Sequence, residues 1–169
     1  MHKVDRIRIL IGSGALVLGA LIYVFDRPPG SIVFITELIS AYSATRSLFG
    51  GMGEYSPTLL HVVAFSLVTV GVLQDRGKPL IPLVWCAINI AFEFGQWIGS
   101  EFYSPASLAH LGSSSGKSII VTYFVAGVFD WLDIFAAFLG AIVSFSLIWL
   151  TDYIGGVTWK RDSCTAGTF

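Results

Sequence analysis

Four apolar runs dominate this 169-residue chain, at residues 9–25, 59–73, 79–98 and 131–150. They approach the ~20 residues that a helix needs to cross a bilayer. A backbone in hydrocarbon must satisfy its hydrogen bonds within its own segment, so runs of this kind predict helices. Charge is correspondingly scarce: 12% of the residues are charged, against roughly 25% in soluble domains, and 54% are hydrophobic, with a mean hydropathy of +0.76. The expectation is an all-α membrane protein, a single transmembrane domain over residues 1–169 built as a bundle of four helices. A net charge of −1 gives no surface for nucleic acid.

The first run follows a basic segment, residues 1–8, as in a secretory signal. The sequence after it reads Asp26-Arg27-Pro28-Pro29-Gly30, with no small-x-small cleavage pattern, so a retained helix is expected. Lys and Arg concentrate on the cytoplasmic side of membrane proteins. With the N-terminus inside, Lys3, Arg6, Arg8, Arg76, Lys78, Lys160 and Arg161 lie on that side, and Arg27, Arg46 and Lys117 lie outside. Seven against three predicts both termini inside, with residues 152–169 as a cytoplasmic tail. Residues 32–42 carry Glu37 and are too short for a comfortable span, and residues 119–128 run directly into Asp130. One or both of these stretches are expected to be interfacial or re-entrant segments on the outer side.

Small residues in the first and last runs, Ala15 and Gly19 on one and Ala136, Ala137, Gly140 and Ala141 on the other, have the spacing of helix-packing faces. Cys86 falls inside an apolar run and Cys164 in the tail, so no disulfide and no C-x-x-C site is expected.

Ionisable residues in spans are costly, roughly 2.5–3.5 kcal/mol each at a helix centre on insertion scales, so their positions carry information. His61 lies near the start of the second run, Glu93 and Gln96 near the end of the third, and Asp130 and Asp133 at the start of the fourth. In the orientation above, all five converge on the outer side. Glu93 and Gln96 are three apart, as are Asp130 and Asp133, so each pair can share a helix face. An outward-facing polar pocket is predicted, in which two carboxyl groups share a proton or one pairs with His61. Structural roles compete with this reading: Asp130 can be an N-cap with Asp133 complementing the helix dipole, and His61 can simply sit at headgroup level. Glu93, several residues inside an apolar run, needs a partner.

Other patterns fail on context. Gly112 to Ser118 has three residues between its glycines where a phosphate-binding loop needs four. Glu101 and His110 have no metal-ligand spacing, so neither a metal nor a cofactor is expected. Ser13, Ser66 and Ser144 lack a G-x-S-x-G setting. Trp85, Trp97, Tyr103, Trp131, Trp149, Tyr153 and Trp159 mostly mark span ends, as interfacial anchors do.

Taken in order, His61-x-x-x-Phe65, Glu93-x-x-Gln96 and Phe129-Asp130-x-x-Asp133, followed by Gly140, resemble the VanZ-like family of small bacterial integral membrane proteins. The resemblance covers residues 56–150 and is that of a divergent member. Thr58 stands where the family often has Lys, Ala137 where it often has Asn, and no Arg lies between Lys117 and Asp130. The resemblance implies a multi-pass protein of the bacterial cell membrane, within a family named for lowered sensitivity to the glycopeptide teicoplanin. It matches His61, Glu93, Gln96, Asp130 and Asp133 to the family's polar positions.

The leading expectation is a protein that binds or modulates a cell-envelope component through this cluster. Its partners would be membrane lipids and a lipid-linked cell-wall precursor or glycolipid. The alternatives are a membrane-embedded enzyme with Glu93, Asp133 and His61 as candidate catalytic groups, and a structural subunit that packs on a protein partner or on itself. Transport is the least expected role, because no charged residue is placed near the inner half of the bundle.

Overall fold

The computed structural model describes residues 3–26, 49–74, 78–102, 124 and 129–165. Among these residues the chain is helical: α1 (Lys3–Asp26), α2 (Gly51–Leu73), α3 (Leu80–Phe102) and α4 (Trp131–Thr165). Each contains a stretch long and apolar enough to cross a membrane, Val4–Tyr23, Gly51–Leu73, Leu80–Gly99 and Trp131–Ile154. The expected four spans are all present.

Their boundaries depart from expectation in ways that individual residues explain. α1 begins six residues before the first apolar run because Arg8 and Asp5, read from sequence as part of a polar leader, are buried and face each other one turn apart. α2 begins well before Leu59 despite Pro57, whose missing N–H leaves the carbonyl of Gly53 without its usual intrahelical donor. The Ser56 hydroxyl bonds the Met52 carbonyl at the same turn. α2 stops at Gln74, which takes the left-handed conformation usual for a helix C-terminus (φ 50°). α4 continues to Thr165, so most of the expected tail prolongs the last helix. The segment 32–42 lies outside the described residues, as does 119–128 apart from Phe124.

The helices alternate in direction. Along α1 and α2, Gly12 meets Ala64 and Val68, Gly19 meets Leu60, and Gly71 meets Ile9, an antiparallel register. α4 runs parallel to α2: Gly140 lies against Leu59 and Val62, and Ile148 joins Val63, Leu67 and Val70 in the core. α3 runs against both, with Ile81 beside Val70 and Ile148, and Cys86 beside Val62, Ala137 and Ala141. α2 contacts all three other helices and forms the centre of the bundle.

Glycine sets how closely the backbones approach. A Cβ on Gly12 would lie 2.8 Å from the Ala64 carbonyl oxygen and 2.9 Å from Val68, and one on Gly140 would lie 2.8 Å from the Leu59 carbonyl oxygen. In lipid such close packing must hold helices together, because burying apolar surface from lipid gains little. The complementary surface is apolar and exposed, including Leu10, Val17, Leu83, Phe135, Ile142 and Trp149, and forms a face suited to acyl chains. Gly19 and Gly140 were readable from sequence as packing positions, whereas Gly12 and Gly71 were not.

Candidate functional site

The alternation of helix directions sorts the polar side chains into two groups at opposite ends of the bundle. One end gathers the finish of α1 and α3 with the start of α2 and α4. The other gathers the start of α1 and α3 with the finish of α2 and α4.

At the first end, Asp130 immediately precedes α4, and its Oδ1 accepts the amide N–H of Leu132 at 2.9 Å, which makes it the N-cap of that helix. The Asp130 amide in turn donates to Glu93 Oε2 at 3.4 Å, linking the last turns of α3 to the first residue before α4. One turn into α4, Asp133 Oδ1 accepts a hydrogen bond from the Thr58 hydroxyl of α2 at 2.6 Å. Glu93, Gln96 and Asp133 are each at least nine-tenths buried. Three helices thus contribute polar groups to one end, and the i, i+3 spacing of each expected pair brings its members to it.

His61 is also on this part of α2, but its neighbours are aromatic. Its ring stacks on Phe65 with centroids 5.9 Å apart, and Phe65 stacks on Trp85 at 4.6 Å. Trp85 closes the chain by donating from Nε1 to Thr69 at 3.1 Å. Among the described residues no hydrogen bond joins His61 to a carboxylate, so the expected imidazole–carboxylate pair is not formed in this structure.

Aromatic rings pack on one another at the same end of the bundle. Phe94 packs at 6.0 Å on Phe129, which meets Trp131 edge-on at 5.0 Å, and Trp97 lies edge-on to Phe94. Phe124, the described residue of the 119–128 stretch, stacks on Phe92 at 5.6 Å and lies directly over Gly95 and Gly99. Any side chain at those two glycines would collide with it, so Gly95 and Gly99 form the seat of Phe124 on α3.

The second end holds a cluster that sequence reasoning missed. Arg8 is fully buried. Its Nε donates to Thr151 Oγ1 at 2.9 Å and one Nη to the Ile148 carbonyl at 3.3 Å, while the same Nη pairs with Asp152 and the other lies 3.7 Å from Asp5. Lys78, just before α3, reaches both oxygens of Asp152 at 3.0 and 3.1 Å. Arg8 and Lys78 had been placed among solvated topogenic charges; instead they tie α1, α4 and the α2–α3 connection together. The expectation that charge is absent near this half of the bundle is therefore corrected: Arg8 and Asp5 are buried there. The signal that was available is the i, i+3 pair of Asp5 and Arg8 beside an apolar run.

Thr58 was also overlooked as a site residue. It lies one turn before His61 on α2, the position from which a hydroxyl meets the first turn of α4. No group of three or more His, Cys, Asp or Glu side chains among the described residues is arranged to hold a metal. No family model, no curated protein and no solved structure matches this chain.

Proposed function

We propose that the chain is a VanZ-like protein of the bacterial cell membrane, with both termini inside, that binds or modulates a cell-envelope component at its carboxylate-bearing end. The excess of Lys and Arg at the Arg8 end supports the orientation, since it puts the carboxylates on the outer face. The resemblance carried by His61, Glu93, Gln96, Asp130 and Asp133 supports the family reading.

The observation that carries the functional reading is the convergence of buried Glu93 and Asp133 from two helices, with Thr58 of a third, at a bundle end flanked by exposed Trp97 and Trp131. Ionisable groups are retained at such depth at a cost, and a ligand-binding role accounts for that cost. Binding is the simpler reading: Asp130 caps α4 and Asp133 accepts the Thr58 hydroxyl, so both carboxylates have a positional role among the described residues.

Native mass spectrometry of the purified protein tests this reading. A lipid or glycolipid should remain bound to the wild type and be depleted in Glu93→Gln. A lipid-free spectrum under gentle activation would refute it. In a host expressing the chain, teicoplanin sensitivity should fall, and Glu93→Gln should restore it while the protein level stays constant.

A further inference from the structure

Ser66 Oγ is fully buried in the interior of the bundle and has no hydrogen-bond partner among the described residues. A buried hydroxyl normally has one, and each exception calls for an explanation. The usual remedy in an apolar helix is a bond from the hydroxyl to the carbonyl four residues back. Ser56, Ser144 and Ser146 all take it, donating to the carbonyls of Met52, Gly140 and Ile142. Ser66, in the middle of α2, does not, so its hydroxyl is left for a group outside its own helix.

The facing helix supplies one half of such a partner. α2 and α4 run parallel, with Gly140 against Leu59 and Val62. One turn further along both helices puts Ser144 at the level of Val63 and Ser66. One more turn puts Ile148 at the level of Leu67 and Val70, and these three share a core cluster, as that register requires. Ser144 is fully buried too, and because its hydroxyl donates to Gly140 its oxygen keeps acceptor capacity. A donor on α2 and an acceptor on α4 therefore stand at one level, and no hydrogen bond joins them directly. Small side chains surround this level, since Ala141 of α4 and Cys86 of α3 pack in the cluster around Val62.

We infer that an ordered water molecule is bound in the α2–α4 interface between Ser66 and Ser144. It accepts the Ser66 O–H and donates one proton to Ser144 Oγ. Its other proton is free for a helix carbonyl, whose oxygen has a second lone pair. That gives the two to four polar partners an interior water needs, and such a bridge joins two helices nearly as well as a direct bond. Ser144 lies ~16 Å along α4 from Asp133 and ~12 Å from Asp152, so the water belongs to neither polar end of the bundle.

The test uses the full chain in lipid bilayers, labelled with ¹³C at serine and alanine. Water-edited solid-state NMR should transfer magnetisation from water to the Cβ of Ser66 several times faster than to that of the equally buried Ala64. Ser144→Ala should abolish the transfer to Ser66. Ser66→Ala and Ser144→Ala should each lower the thermal unfolding midpoint by about 2–4 °C, the shift expected from one hydrogen bond in a chain of this size. The double variant should fall little further, because either loss removes the same bridge. Absence of transfer to Ser66 in the wild type overturns the inference, whatever the variants do. A midpoint raised by Ser66→Ala overturns it as well, because the hydroxyl is then packed dry. Strictly additive losses overturn the bridge, since the two hydroxyls would then act separately.

Discussion

The two ends of the bundle solve the problem of charge in an apolar environment differently. At the Arg8 end, guanidinium, carboxylates, hydroxyl, carbonyl and ammonium meet within hydrogen-bond reach, and opposite charges offset one another. At the other end the described hydrogen bonds to carboxylates come from neutral donors: the Thr58 hydroxyl to Asp133 and the Asp130 amide to Glu93. The Arg8 cluster fastens helices by pairing opposite charges, whereas these bonds join α2, α3 and α4 through neutral groups. Burial alone does not separate the two, since Arg8 and Glu93 are both buried. The partners do.

Perturbing each end should therefore produce different losses. The largest effect is expected for Arg8→Met, which leaves Asp5 buried beside an uncharged side chain and takes the guanidinium from Asp152, which keeps Lys78; breaking a buried pair in this way costs about 3–5 kcal/mol. Thermal unfolding in detergent should show a much lower midpoint, whatever ligand is added. Gly12→Val should come next, because its side chain must displace the Ala64 carbonyl and Val68, at a cost of about 1–3 kcal/mol. Crosslinking between cysteines introduced on α1 and α2 should report their separation.

Thr58→Val should cost about 1–2 kcal/mol by removing the donor to buried Asp133. Lipid retention should fall with it, because the Asp133 carboxylate loses a bond that fixes its position. Lys78→Met should be nearly silent, within about 1 kcal/mol, because Lys78 and Asp152 are partly exposed and screened. If Lys78→Met proves as damaging as Arg8→Met, the fastening at that end depends on the whole network. If Glu93→Gln lowers the unfolding midpoint as far as Arg8→Met does, the acidic end is a fastening too and the contrast fails.

The four helices were legible because length and apolarity determine what can cross a bilayer. The Asp130 cap was legible for a similar reason: Asp before an apolar run has a local meaning, and the Leu132 amide supplies it. What was not legible depends on neighbours remote in sequence. Arg8 reads as a topogenic charge until Thr151 and Asp152, more than 140 residues away, are placed beside it. Gly12 reads as an ordinary glycine until the Ala64 carbonyl faces it. Phe65, four residues on along the same helix, lies against the His61 ring whatever the rotation of α2, whereas whether a carboxylate of another helix also comes within reach depends on that rotation. Pro57 is carried within α2, although a proline usually starts or breaks a helix.

α4 belongs to both ends. Asp133 sits in its first turn and Asp152 near the far side of the bundle, about 28 Å apart at the ~1.5 Å rise of a helix, with no proline between them. Such a helix behaves as a stiff rod. Asp133 and the Thr151–Asp152 pair therefore share one rigid element, so a displacement at one end of α4 is carried to the other. The full rod, 35 residues or about 52 Å long, exceeds a ~30 Å hydrocarbon layer. The excess lies beyond Asp152, so the last turns of α4 run on past the clasp around Arg8.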